Sequence, residues 1–125
     1  MIVGTGTDIC EVDRIRKSIE RFGERFMRRC FTADEIAYCQ SKANFAERFA
    51  ARFAAKEAAM KAIGTGLSRG VGWQHIEVGH APGGRPILRF TARAAELAAA
   101  MGAKHIHLSL THTQDNAMAM VILEG

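Results

Sequence analysis

The stretch Arg52–Ala62, RFAAKEAAMKA, decides the fold. It holds no Gly, no Pro and no β-branched residue, and it is rich in Ala, whose side chain has no rotamer freedom to lose, so it predicts an α-helix. At about 100° per residue, Phe49, Phe53, Lys56 and Met60 fall on one stripe, with Glu57 and Lys61 beside it. A lysine within an apolar stripe admits two readings. In the first, Glu57 and Lys61 form an i,i+4 pair worth roughly 0.2–0.5 kcal/mol, and Lys56 snorkels outward along its apolar stem. In the second, the charges are gathered there because a site uses them.

Toward the N-terminus of this stretch, Asn44 with Glu47 resembles a helix cap, so the helix is expected to open there. It runs to about Ile63 and stops at Gly64, with Gly66 just beyond. The following loop, Gly64–Gly72 (GTGLSRGVG), is either a phosphate cradle made of backbone N–H groups or a flexible connection. Trp73–Gly79 and Pro86–Phe90 read as two strands joined by the turn Pro82–Arg85. Thr91 is placed to cap an Ala-rich helix that Gly102 closes. His105–Thr111 alternates, with Ile106, Leu108 and Leu110 on one face and His105, His107, Ser109 and Thr111 on the other. Histidines sharing a strand face raise a transition-metal site, but no Cys or third His stands close by, and hydrogen-bonding or exposed histidines are the favoured reading. A last strand, Ala117–Leu123, follows the turn Gln114–Asn116.

The N-terminal part begins with a short strand, Met1–Ile9, that ends in a Gly-rich bend with Asp8 at its exit. Alternation sets Ile2, Gly4, Gly6 and Asp8 on one side, and the glycines allow another segment to approach the backbone closely. No Lys follows in P-loop register, and there is no dinucleotide fingerprint. Asp8 is either a turn or cap residue or a ligand. From Glu11 to about Arg29 the pattern is helical with a break at Gly23, and Ile15, Ile19, Phe22 and Phe26 make a core-facing stripe. Arg14, Lys17, Arg21, Arg25 and Arg28 share an adjoining edge, a docking surface for an acidic partner. Thr32-Ala-Asp-Glu35 is a capping box that starts a helix to about Gln40.

The chain of 125 residues, 48% hydrophobic and 24% charged, is expected to fold as one domain over 1–125. Its net charge of +4 comes without the aromatic interleaving or reading motif of a nucleic-acid binder. No apolar run reaches membrane-spanning length, and the N-terminus lacks the features of a signal peptide. Cys10, Cys30 and Cys39 are odd in number and have no C-x-x-C spacing, as buried reduced thiols of a cytoplasmic protein would be. Asp8 and Glu57 offer oxygen ligands from two elements, a donor set suited to Mg²⁺ bridging to phosphate, and the nearby lysines and glycine loop suit the remaining phosphate charge. The residues thus describe a small α+β protein for a magnesium–phosphate ligand. A non-catalytic module for an acidic protein and a Mg²⁺-dependent phosphohydrolase are the rival readings.

GTDICEVDRI at Gly6–Ile15, RFAAKEAAMKAIGTG at Arg52–Gly66, GRP at Gly84–Pro86 and SLTHT at Ser109–Thr113 resemble the holo-[acyl-carrier-protein] synthases, the short 4′-phosphopantetheinyl transferases. The likeness spans the chain in order and spacing. It implies a small antiparallel sheet packed with a long central helix, and a homotrimer with active sites between subunits. It implies Mg²⁺-dependent transfer of 4′-phosphopantetheine from coenzyme A to a serine of apo acyl carrier protein, in fatty acid biosynthesis. By the same likeness Asp8 and Glu57 match the Mg²⁺ ligands, and with Lys61, held near the phosphates, they make up the catalytic group. Lys61, Gly64, Gly66, Pro86, His105, Ser109 and His112 are then candidates for coenzyme A contacts. The edge of Arg14, Arg21, Arg25 and Arg28 gains the acidic carrier protein as its target.

Overall fold

A computed structural model describes residues 1–125. Helix α4, Phe45–Ile63, is its axis, and 14 of its 19 residues are buried. Three strands lie against it in the order β1-β5-β4, all antiparallel: β1 is Ile2–Glu11, β4 His105–His112 and β5 Asn116–Glu124. A separate antiparallel hairpin joins β2, Ile76–His80, to β3, Pro86–Phe90. Helices α1 (Val12–Phe22), α2 (Glu24–Cys30) and α3 (Ala33–Gln40) wrap the other side of α4, and α5 (Ala92–Ala100) links the hairpin to β4. This is the α+β arrangement of small antiparallel sheets around a long helix. No helix is long and apolar enough to cross a membrane.

The face that α4 turns to the sheet is built from alanines, so the strands come close to its backbone. A Cβ added at Gly6 would stand 1.9 Å from the Ala58 carbonyl oxygen and 2.8 Å from the Ala62 nitrogen. A residue with a side chain does not fit between these two backbones, and that close approach fixes the depth of β1. The strand is longer than its sequence pattern indicates. It runs to Glu11, and Asp8 lies within it, paired opposite Ala119, instead of at the exit of a bend. The pairing with β5 accounts for this: a full antiparallel partner satisfies the backbone polar groups of a Gly-rich segment that alone favours bending.

Several local expectations change in the same way. Gly23, at φ 56°, does break the helical run, giving α1 and α2. Phe22 is 49% exposed and off the core stripe, because the chain turns at the next residue; Val12 and Ile15 bury the α1 face instead. The Thr32–Glu35 capping box forms as read. Asn44 and Thr91 occupy cap positions without making side-chain cap bonds. Asn44 Oδ1 instead accepts from Arg48 Nε at 3.2 Å, and Glu47 pairs with His112. Trp73–His75 forms a 3₁₀ turn, so the strand begins only at Ile76.

Lys56 does not snorkel outward. It is fully buried, with Nζ 2.7 Å from Glu35 Oε1, and donates to the carbonyls of Trp73 and Ile76 at 3.0 and 2.7 Å. Burial pulls its ammonium below the ordinary lysine value, and the Glu35 carboxylate pushes it back up. The thiols of Cys10, Cys30 and Cys39 are all buried and free. Burial raises the Cys10 and Cys39 thiols to about 11 and about 12, which leaves them unreactive as nucleophiles.

Candidate active site

Asp8 projects from β1 towards α4, because Gly4, Gly6, Asp8 and Cys10 share the inward side of the strand. Glu57 and Lys61 are one helical turn apart on α4, beside it. Lys61 Nζ donates to Asp8 Oδ1 at 3.1 Å and to the Thr7 carbonyl at 3.0 Å, so the lysine joins the strand and not Glu57. The i,i+4 pair of Glu57 with Lys61 is therefore replaced by a tertiary one. The Asp8 side chain is 12% exposed, while that of Lys61 is 56% exposed and free to swing. Burial pushes the Glu57 carboxyl above its ordinary value, and the neighbouring Asp8 charge pushes it further; Arg14 and Lys61 pull it down.

Two carboxylates held on rigid elements, with burial and the Asp8 charge raising the Glu57 carboxyl, form a donor set of hard oxygens suited to a small divalent cation. The residues fit Mg²⁺. Beside them opens a cleft of about 230 Å³ lined by Glu57, Met60, Lys61, Gly66, Leu67 and Trp73. Gly64, at φ 86°, closes α4 in a left-handed turn, and Gly66, at φ 57°, carries the loop across the mouth of the cleft. The Gly64–Gly72 loop thus forms one wall of the site.

Pro86 and His112 lie elsewhere. They line a second cleft of about 180 Å³ with Tyr38, Arg48, Arg52 and His80. The sequence reading missed Arg48, Arg52 and His80. Arg52 is 3% exposed and lies 4.4 Å over the Tyr38 ring, its guanidinium 3.2 Å from His80 Nε2, with Nε buried and unpartnered. Burial pushes the His80 imidazole below its ordinary value and the Arg52 and Arg48 charges push it further, the two arginines making the cleft wall basic. An Arg at position 52 inside an apolar helix was the available signal. His112 Nδ1 meets Glu47 Oε1 at 3.0 Å.

Ser109 and His105 are both exposed on β4, away from the carboxylates. Ser109 lies with Arg85, His107 and Met120 in a shallow surface depression. The outer face of the sheet carries an exposed apolar patch, with Ile9 opposite Met118 in the pairing and Ile9, Met118 and Met120 67%, 45% and 41% exposed, beside the polar Thr5, Thr7, His107, Ser109 and Thr111 of the same face. Arg14, Arg21, Arg25 and Arg28 are exposed along α1 and α2. Arg28 is tied to Glu24 at 3.3 Å, while Arg14, Arg21 and Arg25 have no ion-pair partner and Arg21 lies over the Phe22 ring. Because Arg14 acts on Glu57, the basic edge begins at the active cleft.

This chain matches the family described as the 4′-phosphopantetheinyl transferase superfamily over residues 4–121. It is 61% identical over 124 residues to the holo-[acyl-carrier-protein] synthase of Koribacter versatilis, covering 99% of each chain. The crystal structure of the Neisseria meningitidis holo-[acyl-carrier-protein] synthase superimposes with a TM-score of 0.91 at 33% identity, with all of both chains covered. The Bacillus anthracis synthase, solved in complex with coenzyme A (3′,5′-ADP), gives 0.80 at 37% identity, over 98% of this chain and 96% of that one. The chain belongs to the 4′-phosphopantetheinyl transferase superfamily, within its holo-[acyl-carrier-protein] synthases.

Proposed function

We infer that the protein transfers 4′-phosphopantetheine from coenzyme A to a serine of an apo acyl carrier protein, releasing adenosine 3′,5′-bisphosphate. The observation that carries this reading is the meeting of Asp8, Glu57 and Lys61 at the mouth of the glycine-walled cleft. In the reaction the serine oxygen gives up its proton to a nearby carboxylate or water as it forms a bond to the β-phosphorus of coenzyme A. The bond from that phosphorus to the bridging oxygen breaks, and the bisphosphate leaves. Asp8 and Glu57 would hold Mg²⁺, which when bound supplies Lewis acidity to the pyrophosphate. Lys61, whose side chain is 56% exposed, would present its ammonium to the charge that develops on the leaving oxygen. The Gly64–Gly72 wall and Trp73 exclude water from one side, favouring the serine over hydrolysis.

The basic cleft of Arg48, Arg52, His80, Pro86 and His112 suits the nucleotide end of coenzyme A, and Arg52 brings a buried donor still without a partner. It shares no wall residue with the carboxylate cleft. The exposed patch of Ile9, Met118 and Met120 on the outer sheet face favours a homotrimer in which one subunit offers the carboxylates and its neighbour the arginines. His105 and Ser109, on the outer strand of that face, would then reach coenzyme A across the subunit boundary. The free arginines Arg14, Arg21 and Arg25, continued by Arg28, would dock the acidic carrier protein with its serine turned to Asp8. Buried reduced thiols suit a cytoplasmic setting, and fatty acid biosynthesis is the pathway such a carrier serves.

The test is intact-mass spectrometry of an apo acyl carrier protein incubated with this protein, coenzyme A and Mg²⁺. One phosphopantetheine should be gained by the carrier, and the gain should vanish with EDTA and in Asp8→Ala and Glu57→Ala. Coenzyme A cleavage with no mass gain on any carrier would replace this reading with a phosphohydrolase.

A further inference from the structure

Lys56 neighbours Glu57 in sequence, but about 100° around the helix it faces the buried interior instead of the cleft. Its ammonium has three N–H donors, and each has an acceptor: Glu35 Oε1, the Trp73 carbonyl and the Ile76 carbonyl. Glu35 is equally saturated. Besides Lys56 it accepts the Thr32 N–H at 2.8 Å as part of the capping box, and the Val78 N–H at 2.8 Å through its other oxygen. The pair therefore ties α3, α4, the Trp73 turn and β2 together at one point. With no free donor and no exposure, Lys56 cannot touch substrate.

What the pair holds matters to the site. The glycine loop has two ends. Its first end is fastened by the helix stop, where Gly64 N–H reaches the Met60 carbonyl at 2.9 Å and Thr65 N–H the same oxygen at 3.1 Å. Its second end reaches Trp73, whose carbonyl Lys56 holds and whose ring stacks on Phe53 at 4.8 Å and 26°. Trp73 then lines the cleft with Glu57 and Lys61. Pinning Lys56 inward also fixes the rotation of α4, since the next residue, about 100° around the helix, must then face Asp8.

We propose that the buried Lys56–Glu35 pair is a positioning element for coenzyme A binding, setting the Trp73 wall of the cleft and the rotation of α4 that aims Glu57. The proposal rests on the coenzyme A reading above. Trp73 is the single tryptophan of the chain, so its emission reports this wall directly.

The experiment uses the full chain, titrated with coenzyme A and Mg²⁺ while calorimetry and tryptophan emission are read together. In the wild type, binding should change the Trp73 emission. Coenzyme A binding by calorimetry with unchanged emission would overturn the proposal, whereas no binding at all would overturn the coenzyme A reading itself. The test variant is Lys56→Met with Glu35→Gln, which removes both charges at similar size. It should keep the far-UV dichroism, shift Trp73 emission to longer wavelength, raise KM for coenzyme A by about tenfold or more and lower kcat as Glu57 loses its aim, with the carrier-protein KM changed less than about threefold. Wild-type KM and emission in that variant, or a uniform fall in activity that tracks the unfolded fraction, would overturn the proposal. Should the double variant fail to fold, Lys56→Arg, which keeps the charge but cannot converge three donors on one point, is read by the same two observables. The wild-type emission result stands whichever variant folds.

Discussion

Gly6→Ala is the sharpest perturbation available, because the obstacle it meets is backbone. The added Cβ would lie 1.9 Å from the Ala58 carbonyl oxygen, and opening that to an ordinary 3.4 Å contact moves the strand by 3.4 − 1.9 = 1.5 Å. No flexible side chain can absorb this shift. Overpacking commonly costs about 1–3 kcal/mol, and a backbone-on-backbone clash belongs at the upper end. At about 4 °C per kcal/mol for a chain of this size, the melting temperature should fall by about 10 °C. Function should fall further than stability. Asp8 stands two residues along the same strand, and a displacement on the order of 1 Å at a catalytic group costs about a hundredfold in rate. Thermal melting by circular dichroism and carrier modification by intact mass, both well below the new melting temperature, measure the two effects separately. A Gly6→Ala protein that melts within about 2 °C of wild type and transfers at a rate within about threefold would refute the idea that the close approach of β1 to α4 sets the depth of Asp8.

Other outcomes follow from charge and assembly. The Glu57 carboxyl is held above its usual 4.5, so between that value and the raised one the folded chain binds more protons than the unfolded chain. Stability is therefore lost as pH rises through that window and stays lower above it. Glu57→Gln should then be more stable than wild type at pH 7 in chelator, equal to it near pH 3, and inactive; denaturant unfolding at the two pH values decides, and a less stable variant at pH 7 would reverse the sign. Charge reversal at Arg21 and Arg25 should raise KM for the carrier protein by about tenfold and leave coenzyme A binding unchanged by calorimetry. Arg14 is a poorer choice for that separation, since its charge also acts on Glu57. Asp8→Ala mixed with Arg48→Ala, after dissociation and reassembly, should recover on the order of a quarter of wild-type activity if each site draws on two subunits. Recovery no greater than the sum of the parts would put the whole site in one chain.

The sequence made the axis of the fold legible because α4 carries strong local signals: helix-forming composition, a Gly64 stop and no breaker between. The Thr32–Glu35 box and the Gly23 break were legible for the same reason, each being a rule about residues three or four apart. The grouping of Asp8 with Glu57 and Lys61 joins elements some fifty residues apart; the residues suggest it as a donor set for a magnesium–phosphate ligand, and the family resemblance gives each its role. What stayed hidden depends on partners distant in the chain. Lys56 meets Glu35, a residue whose capping role already explained its presence, so nothing in the local pattern announced a second one. Arg52 reads as one more charge on a helix until Tyr38 and His80 are brought to it. Asn44 and Thr91 have good capping chemistry and spend it otherwise, and Phe22 leaves the core because the chain turns immediately after it.

The alanine lining of α4 has a consequence for how this protein can change over time. Ala46, Ala50, Ala51, Ala54, Ala55, Ala58, Ala59 and Ala62 are all buried, and the glycines of β1 lean on the carbonyls between them. Over the alanine lining, facing the sheet, little substitution is neutral, since only a few α4 residues such as Phe45 and Lys61 reach solvent. Any larger side chain pushes a strand away, and any smaller one weakens the helix itself. Substitutions that add volume are better borne at the helix ends, the hairpin turn and the outer helices. The alanine pattern is therefore a requirement of packing, separate from whatever the charges beside it do.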